Sequence, residues 1–287
     1  SKEFMKLPRE VLSTAMRVHQ KYFSITDKEN NLESKFLFVA NSIKEMDRDF
    51  RVIEGNERVL KARLSDASYF FENDIANTFE NWNEKLKYVL FYESLGSLHD
   101  KIIRMANISK IFAKGFGVKS ELAKQAALLS KADLVSEMVM EFPELQGIMG
   151  GHYAKIKNEH EEVTKAISEH YKPKGVSDDL PETKLGSLLS MVDKIDTLVG
   201  FFSIDKKPTG SKDPFALRRN SFSIVQILIN FKINLSLNEL LEPSLKEYGC
   251  YSQSIKQNLI DFMIDKFKYV FSNKNNRIDV VNSVLNT

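Results

Sequence analysis

Between Gly55 and about Phe202, apolar residues recur at helical spacing, which restricts this stretch to packed amphipathic helices. In the first segment Leu60, Leu64, Ala67 and Phe71 fall at i, i+4, i+7 and i+11, one stripe of a helix, and Arg58, Lys61 and Arg63 form a basic cluster beside it. The period continues through Leu86, Val89, Leu90 and Leu95, then Ile102, Ile103, Met105 and Ile108, then Ala123, Ala126, Ala127 and Leu129. Gly115, Gly117 and the pair Gly150-Gly151 read as breaks between helices. An all-α domain over residues 55–205 is the expectation.

The flanks differ in texture. Pro8 to Leu12 opens like a short helix with proline near its start, and Tyr22–Ile25 and Phe36–Val39 read as strands. Turn-forming residues from Thr26 to Asn31 make a hairpin of them. A lone hairpin is marginal in water, so residues 1–54 are expected to be the end of a larger α+β module and the chain a fragment. On the other side, Asp205 to Pro214 is a polar link containing Pro208 and Gly210, with a helix expected to start at Asp213-Pro214. Beyond it, Ile224, Leu228 and Phe231, then Ile260, Met263, Ile264 and Phe267, predict two or three more helices in residues 206–287, with the pattern still running at Thr287.

A chain of 287 residues is long enough for two or three folding units, each with its own core. No apolar run approaches the roughly 20 residues that span a bilayer, so no membrane association and a cytoplasmic location are expected. The single cysteine, Cys250, has no partner in the chain and reads as structural. With a formal net charge of only +2, any contact with nucleic acid must come from local clusters. Lys206, Lys207, Lys212, Arg218 and Arg219 form the densest one, on the link and the following helix start. Such side chains reach phosphate oxygens, or serve as a solvated linker paired with nearby carboxylates; charge alone leaves both open. His19 to Phe23 mixes basic and aromatic groups, compatible either with RNA or with a hairpin core.

Catalytic signatures are scarce. There is no Gly-x-Ser-x-Gly elbow, no Gly-x-x-x-x-Gly-Lys-Ser/Thr loop and no Gly-x-Gly-x-x-Gly fingerprint. His99-Asp100 is an adjacent pair of the type that anchors a metal in the HD phosphohydrolases, although Asp100 and Arg104 at i and i+4 also read as a surface pair. The run Ala126 to Asp133 resembles the helix on which those enzymes carry their His-Asp pair, and here Ser130 and Lys131 occupy the two positions. An ammonium beside a divalent cation is repulsive, so no bound metal is expected. Asp193, in an almost wholly apolar helix, matches the closing aspartate of that fold and must be paired; Lys131 is the leading partner. Ser130, Lys131, Asp133 and Asp193 thus form a candidate degenerate site. His152, His160 and His170 lie in a charged stretch that reads as a solvated face, with His152 the remaining site candidate.

Several strings, in order, resemble the β subunit of the bacterial two-subunit glycyl-tRNA synthetases. They include Leu7 to Val11, His19 to Phe23, Phe38 to Asn41, Gly55 to Asp74 and Leu95 to Lys101, then Lys131 to Val135, Glu141 to Gly147 and Asp213 to Arg219. The resemblance implies a mainly α fragment: the end of a B3/B4-like module, a degenerate HD-like domain, and the helical start of a C-terminal tRNA-binding region. It implies a non-catalytic part that binds glycine tRNA and supports the catalytic α subunit, in a tetramer of two α and two β subunits. ATP and magnesium would be used by the holoenzyme and neither would be bound by this piece. On the residues alone, a metal-dependent HD-type phosphohydrolase and a purely structural scaffold remain alternatives.

Overall fold

A computed structural model describes residues 2–40, 46–175, 177–210 and 212–272. Twelve α-helices, four short 3-10 or π-helical segments and two small antiparallel hairpins account for the regular structure among these residues, so the fold is mainly α as expected. Helix α1 (Arg9–Thr14) starts directly after Pro8, whose ring supplies a helix-compatible φ of −53°. The first hairpin pairs β1 (Phe23–Thr26) with β2 (Leu32–Leu37), and Asp27 closes the turn by accepting from the backbone of Glu29 and Asn31. The second strand ends two residues earlier than the sequence pattern suggests. Tyr22 is buried core beneath this hairpin, whereas Phe23 is 57% exposed, so the two aromatics separate into a packing role and a surface role.

Helix α2 (Met46–Ala76) spans 31 residues and runs uninterrupted through Glu54 and Gly55, where the sequence reading places a boundary. Its stripe is real: Leu60, Leu64 and Ala67 are buried, with Leu60 and Leu64 against the N-terminal segment. Helix α3 (Phe79–Leu86) follows, capped by the Thr78 hydroxyl. Val89, Leu90 and Leu95 do not continue the helical period. They belong to a short hairpin, β3 (Leu90–Tyr92) and β4 (Gly96–Ser97), reversed at Gly96, whose φ of 84° suits glycine.

Helix α4 (Leu98–Phe116) opens on a capping box of Ser97 and Asp100 and stops at Gly117 in the left-handed region. Gly115 lies inside the helix and breaks nothing. Next come α5 (Ser120–Leu129), α6 (Glu137–Glu141), α7 (Ile148–Ile156) and α8 (Glu161–Glu169). Gly150-Gly151 is also not a break but the middle of α7. A Cβ on Gly150 would stand 2.8 Å from the Ile167 side chain and 3.1 Å from Asp133, so the glycine allows α7 to lie close against α8. Helix α9 (Lys184–Ser203) is buried almost all round and packs against α4, α5, α8 and α10 (Leu217–Asn230) as well as α11 (Leu237–Glu247) and α12 (Gln253–Ser272). Helix α10 begins four residues after Asp213, whose carboxylate accepts from the backbone of Leu217 and Arg218. The helical pattern read from residue 273 to Thr287 lies outside the described residues. Cys250 is partly buried after α11.

A buried polar contact ties α2 to α6 and α7. Asp74, 1% exposed, accepts from the backbone N–H groups of Glu137 and Met138 at 2.9 and 3.0 Å and from the Tyr153 hydroxyl at 2.6 Å. With the Ser136 hydroxyl accepting from Val139, the first three N–H groups of α6 are all satisfied. Asp74→Ala strands those donors and should cost about 2–3 kcal/mol in denaturant unfolding. A variant as stable as the parent would mean that Asp74 does not hold α2 to α6.

A buried charge network at the candidate site

The polar centre of the molecule sits on one face of α9, where Asp193 and Asp196 point toward α4 and Lys194 toward the segment after α8. Asp193 and Lys131 are ion-paired at 2.7 Å, the partnership anticipated from the sequence. Lys131 is placed there because α5 ends at Leu129: Ser130 closes the last turn by donating to the Ala127 carbonyl, and Lys131 leaves the helix buried. Its ammonium uses three directions. One N–H goes to Asp193, a second meets His170 Nε2 at 2.9 Å, and the third side lies over the Tyr171 ring, 3.9 Å from its centroid.

The histidine in this arrangement corrects the sequence reading, which places it on a solvated face. His170 is fully buried. Its Nδ1 donates to the Ile167 carbonyl at 2.6 Å, which leaves Nε2 as the acceptor for Lys131 and makes the ring neutral. Burial, reinforced by the adjacent Lys131 charge, holds its pKa well below the ordinary histidine value. The other histidines follow different paths: His152 Nε2 lies 3.1 Å from Glu10 on α1, and His160 caps the start of α8.

Sequence reasoning missed the residues of α4. Lys101 is 3.0 Å from both Asp193 and Asp196 and donates to the Thr197 hydroxyl at 2.8 Å. Arg104 donates through Nε to Asp196 at 2.8 Å and stacks its guanidinium on Tyr248, whose hydroxyl donates to the same carboxylate. The surface pair expected between Asp100 and Arg104 is therefore not formed as such; Asp100 turns back to cap α4 while Arg104 turns inward. The i, i+3, i+7 relation of Leu98, Lys101 and Met105 on one face was the available signal, since a lysine in an apolar stripe needs a buried partner. Despite burial, Lys101 and Lys131 together hold the Asp193 carboxyl well below the usual carboxylate range.

Asp133 stands apart from Asp193. It is fully buried and its Oδ2 accepts from the backbone of Gly147 and Gly150 at 2.6 and 2.9 Å, anchoring the start of α7. Burial raises its pKa to about 6. Of Ser130, Lys131, Asp133 and Asp193, the second and last are thus paired with each other while Ser130 and Asp133 are engaged with backbone groups, and the four do not converge as ligands. Among the described residues no group of three or more histidines, cysteines, aspartates or glutamates is arranged to hold a metal. A hydroxyl committed to a backbone carbonyl and an ammonium occupying the place between carboxylate and imidazole do not fit a divalent cation.

The basic candidates divide by environment. Arg58 and Lys61 are exposed on α2, while Arg63 bridges to Glu141 at 3.2 Å. Lys206 and Lys212 are exposed, and Lys207 pairs with Asp205 at 2.9 Å. The link is a built turn, with Thr209 and Lys212 exchanging backbone hydrogen bonds. Arg218 donates to the Gly210 carbonyl at 2.7 Å and so belongs to that turn, whereas Arg219 is exposed beside a cavity.

Two measurements test this arrangement. Asp193→Ala leaves Lys101 and Lys131 without their shared carboxylate and should cost about 3–5 kcal/mol; an unchanged melting temperature would show the network to be idle. The neutral His170 has a folded pKa below its unfolded value of about 6.5, so the folded protein resists a proton that the unfolded chain accepts. Stability should be complete above about pH 6.5 and decline as pH falls below it. His170→Gln should flatten that decline, and a parent whose stability is level from about pH 6.5 to 5 contradicts the assignment.

Comparison with known proteins gives a consistent result. A family model described as the glycyl-tRNA synthetase beta subunit matches residues 1–286. The glycine–tRNA ligase beta subunit of Rickettsia bellii (strain OSU 85-389) is 46% identical over 283 residues, which is 99% of this chain and 42% of that protein. The corresponding subunit of Marinobacter nauticus is 41% identical over 266 residues, 92% of this chain and 38% of its own length. That of Pseudoalteromonas atlantica is 39% identical over 284 residues, 98% of this chain and 41% of its own. The chain spans about two fifths of the length of these relatives, and it belongs to the glycyl-tRNA synthetase beta subunit family.

Proposed function

We propose that this chain is a non-catalytic, tRNA-binding and supporting part of a glycine–tRNA ligase, the enzyme that forms glycyl-tRNA from glycine, ATP and tRNA. Its partners in this reading are glycine tRNA and a catalytic α subunit that uses ATP and magnesium, in a cytoplasmic tetramer of two α and two β subunits. The helical region is read as a degenerate HD-like domain. The observation that carries the non-catalytic part of this reading is the Lys131 ammonium, paired with Asp193 at 2.7 Å at a position where a metal ligand would be needed. With His170 as its second partner, Lys131 ties three helical segments together in the way that a metal would, and offers no open coordination position. Among the described residues, no helix is long and apolar enough to cross a membrane.

Exposed cations supply the RNA side of the proposal. Arg58, Lys61, Lys206 and Lys212 are exposed and have no carboxylate partner among the described residues, so their charge is available to phosphates. Arg63, Lys207 and Arg218 are already engaged and contribute less.

Two experiments separate this reading from a metal-dependent phosphohydrolase and from a bare scaffold. Elemental analysis of the purified, dialysed full-length subunit should find far less than one transition metal per chain; a stoichiometric zinc, manganese or iron would restore the phosphohydrolase. In the assembly with the α subunit, neutralising Lys206 and Lys212 to Gln should weaken tRNA binding and leave glycine activation unchanged. Removing one lysine–phosphate interaction should flatten the log–log salt dependence of binding by about 0.7 to 0.9. Unchanged affinity and slope, for this pair and for Arg58 with Lys61, would leave only the scaffold.

A further inference from the structure

The buried network does not balance its charge. Lys101 and Lys131 share Asp193, and Lys101 and Arg104 share Asp196, but Lys194 has no carboxylate partner among the described residues. This lysine is 7% exposed, and its ammonium is satisfied by neutral oxygens: the Ser190 hydroxyl at 2.8 Å and the carbonyls of Lys172 and His170 at 3.2 and 3.5 Å. A cation so far from water without a counter-charge is costly, and an anion within its reach would offset that cost. The same residue lines a cavity of about 400 Å³ bounded by the segment after α8, by α9 and by the start of α10. Lys174 and Arg219 stand at its rim, both exposed and neither ion-paired among the described residues. Asp193 is the one carboxylate among the described lining residues, and both of its oxygens are already taken by Lys131 and Lys101.

We propose that this cavity binds a phosphate group, with Lys194 at its floor and Arg219 and Lys174 closing on it from the rim. Arg219 supplies the planar fork that fits two phosphate oxygens, and Lys194 supplies the fixed point charge. The Asn220 amide, also in the lining, is of the neutral donor type that completes such a site. Lys174 lines a second cavity as well, about 860 Å³, whose wall includes Arg9, Arg17, Lys21 and the exposed Phe23. The two cavities therefore share one lysine, and the larger is a groove that combines these basic and aromatic groups with the carboxylates of Glu10 and Glu144. The phosphate is either a diester of an RNA strand laid along that groove or the monoester of a free nucleotide. The site does not depend on the tRNA reading, because it follows from the unpaired Lys194.

The test uses the full-length subunit and inorganic phosphate as the probe, titrated calorimetrically at constant ionic strength against chloride. Saturable binding is expected, weakened about tenfold or more in Arg219→Gln, as follows from removing a charge-assisted hydrogen bond. Lys194→Met should abolish binding and, lacking the buried charge, should melt no lower than the parent without phosphate. No saturable binding by the parent, or equal binding by Arg219→Gln, overturns the proposal even if tRNA binding persists. Competition then identifies the source: a stronger effect of an unphosphorylated RNA oligonucleotide assigns the diester, and a stronger effect of adenosine monophosphate assigns the monoester. Either order supports the site, and displacement by neither overturns it.

Discussion

The arrangement of the helical core depends on how α9, a mostly apolar helix, buries two aspartates. A carboxylate in such a place is tolerable only if cations reach it from neighbouring elements, and here they come from two directions. Lys101 and Arg104 come from α4, and Lys131 from the turn after α5. Moving any of those helices by a fraction of a turn would leave a buried charge unpaired. The ion pairs therefore specify register more than they add stability, while the apolar faces around them supply the cohesion.

Among the described residues the same geometry gathers no group of three or more histidines, cysteines, aspartates or glutamates around one point. A metal centre needs ligands that leave their lone pairs pointing at one empty point. In this protein the groups around Lys131 are committed elsewhere, Asp193 to two ammonium groups and His170 to Lys131 and the Ile167 carbonyl, while Asp133 turns one oxygen to the backbone of α7. A lysine at position 131 carries the positive charge permanently, so the network is complete in the chain itself. Lys194 is left over, and it faces a cavity.

The peripheral cations show how much a basic cluster in sequence can disperse in space. Lys206, Lys207, Lys212, Arg218 and Arg219 are neighbours along the chain, yet one is paired with Asp205, one braces the Gly210 turn, and one stands at the rim of the cavity beside Lys194. Their shared charge is a property of composition, and their separate roles arise from a turn that sends successive side chains in different directions.

Much of the fold was legible in the residues themselves. The Leu60, Leu64 and Ala67 stripe, the hairpin closed near Asp27 and the need of Asp193 for a counter-charge follow from period, turn chemistry and burial on an apolar helix, and Lys131 is suggested as its partner only by the resemblance of its segment to the HD helix. Local pattern failed where an apolar run was too short to distinguish a strand from a helix, as at Val89 to Leu95, and where glycine served close packing instead of a break, as at Gly150. It could not place Lys101, Arg104 and His170, because these residues lie 92, 92 and 39 positions from the partners they meet. Helical character and the demand for a counter-charge are properties of a segment and were determined by the sequence. Which cation answers the demand, and which is left facing a cavity, depends on how helices distant in the chain cross α9, and only the tertiary structure decided it.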